Sequence, residues 1–364
     1  MSKINIGIVG TGSIVDTYKK CIDEIEEAEL VALYTKSSTR IPEVEKEFGV
    51  PVFSSMDAFL QKDIDLVCVC NESGRHGEAI KAAARAGKHV LSEKPLETTP
   101  EKIDEVIEVC RAEGVKLGCT LQNRCGSDYR QVAEAVHSGK LGKLLMGNAH
   151  IDWYRPESYY ADSDWKGTKE FDGGAALINQ GIHTIDLLLH LMGSVGSVFG
   201  KVDTLVHPIE GEDVAAALLN FKNGAIGNIT AGTALYPGYP ERIEIFGEKG
   251  SVLMEGGKIK AWNLKKISVS ETPAQETSSQ NIGSEEVSRS SNPEEQGTSE
   301  ENGESGACDP TAIGYANHKE VIADMIEAIR NNSAPMVDGR EARKAVAVIN
   351  AIYESSKQGK LISL

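Results

Sequence analysis

Apolar residues alternate between two spacings over the first third of the chain. Residues 4–9 form a short apolar run that ends in glycines, and a helix follows over 13–27. Residues 30–34 are a second strand, and 41–48 a helix with Pro42 in its first turn and Gly49 past its end. Residues 65–70 are another buried strand, 76–86 a helix stopped by Gly87, and 88–92 a strand. Thr99 then caps a helix with Pro100 at its first position. Its apolar face is Ile103, Val106, Ile107 and Cys110, and it ends at Gly114 before a strand over 115–120. Strand–helix alternation with short loops predicts a doubly wound parallel sheet.

The pattern changes after Gln122. A helix over 128–137 leads into a long strand over 143–154, and a helix covers 177–192. Strands at 197–204, 213–221, 225–231, 241–246 and 251–254 then follow with turns between them. Such a run predicts a mainly antiparallel open sheet. Two helices, 318–330 and 339–358, close the chain. The expected fold is therefore α/β, with a dinucleotide-type domain over 1–121 and an α+β domain over 122–364. Residues 268–308 are rich in Ser, Glu, Thr, Asn and Gly, and read as a disordered acidic insertion in that second domain.

Composition narrows the function. The net charge is -16, which argues against nucleic acid or an anionic membrane as the main partner. No apolar run is long enough for a membrane helix, and no charged leader precedes an apolar stretch and cleavage site, so a cytoplasmic protein is expected. The seven cysteines include no CxxC pair and read as buried free thiols, with no metal site expected. Cys68 and Cys70 share one face of their strand.

The candidate cofactor site is Gly10-Thr11-Gly12-Ser13-Ile14-Val15, between the first strand and the first helix. Gly10 permits the tight turn and Gly12 lets the backbone approach a diphosphate seated on the helix N-terminus, beside Ser13 and Ile14. Val15 stands where Gly or Ala is usual. This reading makes the first domain a Rossmann domain. No carboxylate follows the second strand to bind ribose hydroxyls. Lys36, Ser37 and Arg40 stand there instead, and can hold a 2′-phosphate, which favours NADP over NAD.

Glu93-Lys94-Pro95 follows a parallel strand, at the sheet edge where ligands bind. A lysine there can polarise or protonate an alcohol or carbonyl oxygen beside the nicotinamide, unless it is an ordinary surface cation. Asn179, His183 and Asp186 fall at i, i+4 and i+7, a polar stripe on an apolar helix. His183 is suited to proton transfer, and His190 reads as structural. Gln122-Asn123-Arg124 and Trp153-Tyr154-Arg155 offer Asn123, Arg124, Tyr154 and Arg155 as substrate contacts, together with Asn179 and Asp186.

Gly10 and Gly12, the Ala86-Gly87-Lys88-His89-Val90 run into Glu93-Lys94-Pro95, the segment from Gly173-Gly174 to Asp186 and the two closing helices together resemble the Gfo/Idh/MocA oxidoreductases. The resemblance implies hydride transfer at a secondary alcohol carbon of a sugar, cyclitol or nucleotide-linked sugar. It implies Lys94 and His183 as catalytic residues with Asn179 beside them. It also implies an open sheet that builds a homo-oligomer, a dimer or tetramer. The family's usual Thr-Pro-Asn reads Asn71-Glu72-Ser73 here with His76 retained, so Asn71 and His76 are expected beside the cofactor with Glu93 and Lys94. Asn179 departs from the family's frequent aspartate. Relatives that cleave glycosides or reduce biliverdin, and a cofactor-holding sensor without turnover, are the alternatives.

Overall fold

The computed structural model describes residues 2–265 and 315–364. The expectation of disorder over 268–308 lies outside them, as does Cys308. The first sheet has six parallel strands: β1 (Ile4–Val9), β2 (Ala28–Tyr34), β3 (Val52–Phe53), β4 (Leu66–Val69), β5 (His89–Ser92) and β6 (Leu117–Cys119), in the order β3-β2-β1-β4-β5-β6. The central strand β4 is buried at every position, which is why it reads as an unbroken apolar run. Five helices flank the sheet: α1 (Ile14–Asp23), α2 (Ile41–Phe48), α3 (Met56–Leu60), α4 (His76–Arg85) and α5 (Pro100–Ala112). The Thr99 hydroxyl caps α5 by accepting the Lys102 N–H at 3.4 Å. The short β3 and α3 carry too few residues to show a period, and the pattern missed them.

Among the described residues the second sheet has eight strands. They are β7 (Leu144–Asp152), β8 (Val195–Asp203), β9 (Val214–Phe221), β10 (Ile226–Gly232), β11 (Arg242–Gly247), β12 (Gly250–Glu255), β13 (Lys258–Leu264) and β14 (Ile362–Ser363). Their order is β13-β12-β11-β7-β10-β9-β8-β14. Every neighbouring pair is antiparallel except β7 and β10, which run parallel with Met146 opposite Ile226. Helices α6 (Ser127–His137), α8 (Ile182–Met192) and α10 (Gly339–Gln358) line its buried face, and α7 (Glu157–Ala161) follows β7. Among the described residues no helix packs on the other face. Cross-strand neighbours Phe246 and Met146, and Phe199 and Leu218, stand on it, with Leu218 62% exposed.

Two expectations change. The helix read over 177–192 is broken: Ala176–Gln180 is a π turn, and the α-helix starts at Ile182. The helix α9 (Ala316–Asn331), grouped with the second domain by its place in the chain, packs against α1. Its Val321, Ile322, Met325 and Ile326 join Ile6, Ile8, Val15 and Tyr18 in one apolar core. Among the described residues no helix is long and apolar enough to cross a membrane.

Candidate active site

The carboxyl edge of the first sheet faces the second domain across a cavity of about 880 Å³. One end is the turn after β1. Gly10 has φ +116°, and a Cβ there would lie 2.6 Å from the Cys70 carbonyl oxygen, so only glycine fits. A Cβ on Gly12 would meet nothing within 4 Å: the backbone borders open space at the start of α1. Val15 is fully buried in the core, where the third small residue of this turn would pack. Gly10, Gly12, Ser13, Ile14, Lys36, Ser37, Arg40, Asn71, His76, Glu93, Lys94 and Asn179 all line the cavity. The Arg40 guanidinium donates to the Thr11 carbonyl at 3.3 Å and its hydroxyl at 3.2 Å, folding over the turn.

These residues fit a dinucleotide. The turn presents backbone N–H groups at a helix N-terminus, an anion site. The Asn71 side-chain oxygen is buried in the cavity wall without a partner, as expected of a group that meets a ligand. His76 lines the cavity with both ring nitrogens turned to backbone carbonyls. Its ring lies 2.7 Å from the Pro95 carbonyl (Nδ1) and 3.0 Å from the Asn71 carbonyl (Nε2), so its polar atoms tie two strand-end loops together. Glu93 is likewise occupied, accepting from the Tyr18 hydroxyl at 2.9 Å and the Lys94 N–H at 3.2 Å.

Lys94 enters the cavity from the turn after β5, before a cis Pro95. Its ammonium donates to the Asn179 carbonyl at 2.8 Å. In an unbroken helix that carbonyl would be committed to the N–H of residue 183; the π turn frees it. Burial depresses the Lys94 pKa, with Glu93 and Asp172 opposing the shift and Arg155 adding to it. His183 sits at the start of α8, its ring half-buried and its Nδ1 buried without a partner. Burial, then the charges of Lys94 and His318, hold its pKa well below the usual imidazole value. The ring is therefore neutral at neutral pH and close enough to feel the Lys94 ammonium. His183 is not itself a wall of the large cavity, which reaches Asn179 on that side.

Arg124 and Asp186 are placed against expectation. The polar stripe is turned inward, and these two residues satisfy each other. Arg124 donates to the Asp186 carboxylate at 2.7 Å (Nε) and 2.6 Å (Nη2), with side chains 5% and 2% exposed. A buried bidentate pair leaves neither group to a substrate. Asn123 and Tyr154 also stand away from the cavity walls, Tyr154 edge-on to Tyr236. Arg155 is 1% exposed, donates to the Gln180 side-chain oxygen at 2.9 Å and stacks near Trp153 and Tyr159. It lies behind the wall and braces the π turn. His190 is structural, its Nδ1 2.6 Å from the Tyr129 hydroxyl.

The sequence reading missed the segment after α7. Asp162, Ser163, Trp165 and Lys166 close the cavity opposite the first domain, and buried Asp172 lies beneath them. Nothing periodic marks that stretch. The clue was only its polar and aromatic density before Gly173-Gly174.

Comparison with known proteins bears on this arrangement. Residues 4–121 match the model of the oxidoreductase family with an NAD-binding Rossmann fold, and 129–253 match the GFO/IDH/MocA C-terminal domain. The chain is 30% identical to the myo-inositol 2-dehydrogenase of Thermotoga maritima over 261 residues, 69% of this chain and 75% of that protein. The chain belongs to the GFO/IDH/MocA oxidoreductase family. A second member, the scyllo-inositol 2-dehydrogenase (NADP(+)) of Bacillus subtilis, is 25% identical over 99% of this chain and 96% of its own. Among solved structures, the WlbA dehydrogenase of Bordetella pertussis, in complex with NADH and UDP-GlcNAcA, superposes with a TM-score of 0.82 at 30% identity. That likeness covers 100% of this chain and 99% of that one. As a member of this family the protein is an NAD(P)-dependent oxidoreductase of the dehydrogenase type.

Proposed function

We propose that the protein oxidises a secondary hydroxyl on a sugar ring, with His183 taking the proton and Lys94 stabilising the oxygen. The carrying observation is the Lys94 ammonium, held by the Asn179 carbonyl in the same cavity that begins at the Gly10–Gly12 turn. When bound, the nicotinamide supplies the acceptor for the hydride. His183, neutral and with a buried nitrogen lacking a partner, takes the hydroxyl proton. Lys94 stabilises the oxygen as its negative charge grows. Among sugars, cyclitols and nucleotide-linked sugars, we place the nucleotide-linked class first, because over nearly the full length of both chains the identity to the WlbA dehydrogenase is 30%, against 25% to the scyllo-inositol 2-dehydrogenase.

The cofactor we propose is NADP. Lys36, Ser37 and Arg40 line the cavity beyond β2 with no carboxylate among them. One experiment tests substrate and cofactor together. NAD and NADP are each offered with UDP-GlcNAcA, myo-inositol and scyllo-inositol, and formation of reduced cofactor is followed by absorbance. Reduction with UDP-GlcNAcA is expected, and Arg40→Ala should weaken NADPH binding about tenfold while sparing NADH. A cofactor left unchanged by every compound would favour a sensor or a redox-neutral cleavage instead.

We further propose a cytoplasmic homo-oligomer built through the open face of the second sheet. Phe199, Leu218, Ile226 and Phe246 stand exposed there, on a ladder where the Asn228 amide donates to Asn148 and the Asn148 amide to Glu244. An apolar face of this kind marks an interface. Leu218→Glu with Phe199→Glu should convert the assembly to monomers, read by light scattering on a sizing column. An unchanged mass would place the interface elsewhere.

A further inference from the structure

Asp172 lies 1% exposed beneath the cavity floor. One carboxylate oxygen accepts the Gly167 N–H at 2.8 Å, and the other accepts from the Asn179 side-chain amide. The carbonyl of that same Asn179 holds the Lys94 ammonium. A buried carboxylate thus grips the residue that grips the lysine. An ionised carboxylate is stable out of water only with cations near it. Lys94 from the turn after β5 and Lys166 from the loop after α7 fill that role, and Lys166 also lies 3.9 Å above the Tyr159 ring.

We propose that Asp172 is the positioning residue for Lys94: it fixes the π turn through the Asn179 amide and adds its negative charge to that of Glu93 in keeping the buried ammonium in place. The inference rests on the dehydrogenase reading for its kinetic arm only. The groups that face Asp172 are Lys94, Lys166, the Asn179 amide, Tyr159 and Tyr160 of α7, and Tyr353 of α10. Burial raises its pKa to about 6, against the pull of Gly167, Asn179, Lys94 and Lys166. The ionised form is the one that accepts two N–H donors. Protonation turns one oxygen into a donor and removes the charge, so activity should fall as pH drops through about 6. His183, held well below the usual imidazole range, titrates lower and does not account for that limb.

The hydrogen-bond pattern supplies the test. In Asp172→Asn the new amide meets one N–H donor with its own NH2. In the exchange Asp172→Asn with Asn179→Asp, the new amide accepts from Gly167 and donates to the new carboxylate, whose second oxygen still accepts from Gln180, as the Asn179 oxygen does at 3.0 Å. With UDP-GlcNAcA as the probe, Asp172→Asn should lose about 10²-fold in kcat with little change in KM, and the acid limb near 6 should vanish. The exchange should recover most of that rate. Independently of turnover, the aspartate 13Cγ resonance absent from Asp172→Asn should titrate near 6 in the cofactor-free protein and move upward in Lys94→Met. A midpoint unmoved by Lys94→Met, or a wild-type acid limb in folded Asp172→Asn, overturns the proposal. If no sugar turns over in the wild type, the dehydrogenase reading fails on its own and the resonance still decides the coupling.

Discussion

Lys94→Ala is expected to lower kcat/KM by about 10³-fold and to leave cofactor affinity nearly unchanged. The ammonium enters the cavity from the turn after β5, whereas the turn proposed to cradle the diphosphate is backbone at Gly10–Ile14, after β1. Removing the side chain deletes the group proposed to meet developing charge on oxygen, and deletes nothing from the proposed cradle. Lys94→Arg should rescue little, because a guanidinium is larger and planar and does not fit the place of the compact ammonium on the Asn179 carbonyl. Steady-state rates from cofactor absorbance and binding by calorimetry separate the two effects. A variant with wild-type turnover would remove Lys94 from the chemistry. A variant that lost cofactor binding in parallel would make it a cofactor ligand only.

The second large effect concerns stability. Asp186→Leu should cost about 3–5 kcal/mol of unfolding free energy, because it leaves the Arg124 guanidinium buried without its bidentate partner. Glu341, 3.3 Å from Arg124 on the other side, is 31% exposed and only partly compensates. Pairing Asp186→Leu with Arg124→Met should recover most of the loss, since two apolar groups replace a pair whose desolvation was itself costly. Urea unfolding monitored by circular dichroism gives both numbers. The measurement also separates two roles: a substrate ligand would raise KM without unfolding the protein. A single variant as stable as the wild type would show that the pair contributes nothing to the fold.

Much of this architecture is written locally. The buried run at β4, the Thr99–Pro100 helix start, the stop at Gly49 and the turn at Gly10 each follow from the backbone freedom or burial of a few adjacent residues. Alternation of strand and helix then admits few arrangements besides a doubly wound sheet. The place of Lys94 in the cavity wall was legible because a position after a parallel strand is a property of order along the chain. The sequence missed β13, which pairs with β12 along the sheet edge and buries little of itself.

What the sequence by itself determined was the set of parts: two sheets, a glycine turn between the first strand and helix, a lysine at a strand end and a histidine on an apolar helix. Tertiary structure decided which polar groups meet. Helical spacing set Asn179, His183 and Asp186 on one face, but a π turn ended that register, and Arg124, 62 residues earlier, claimed Asp186. It also sent α9 back onto the first domain and brought Asp172 under Asn179. The reason is physical. Spacing reports which face a side chain occupies, whereas a buried charge is satisfied by whatever partner the packed chain brings within hydrogen-bond reach.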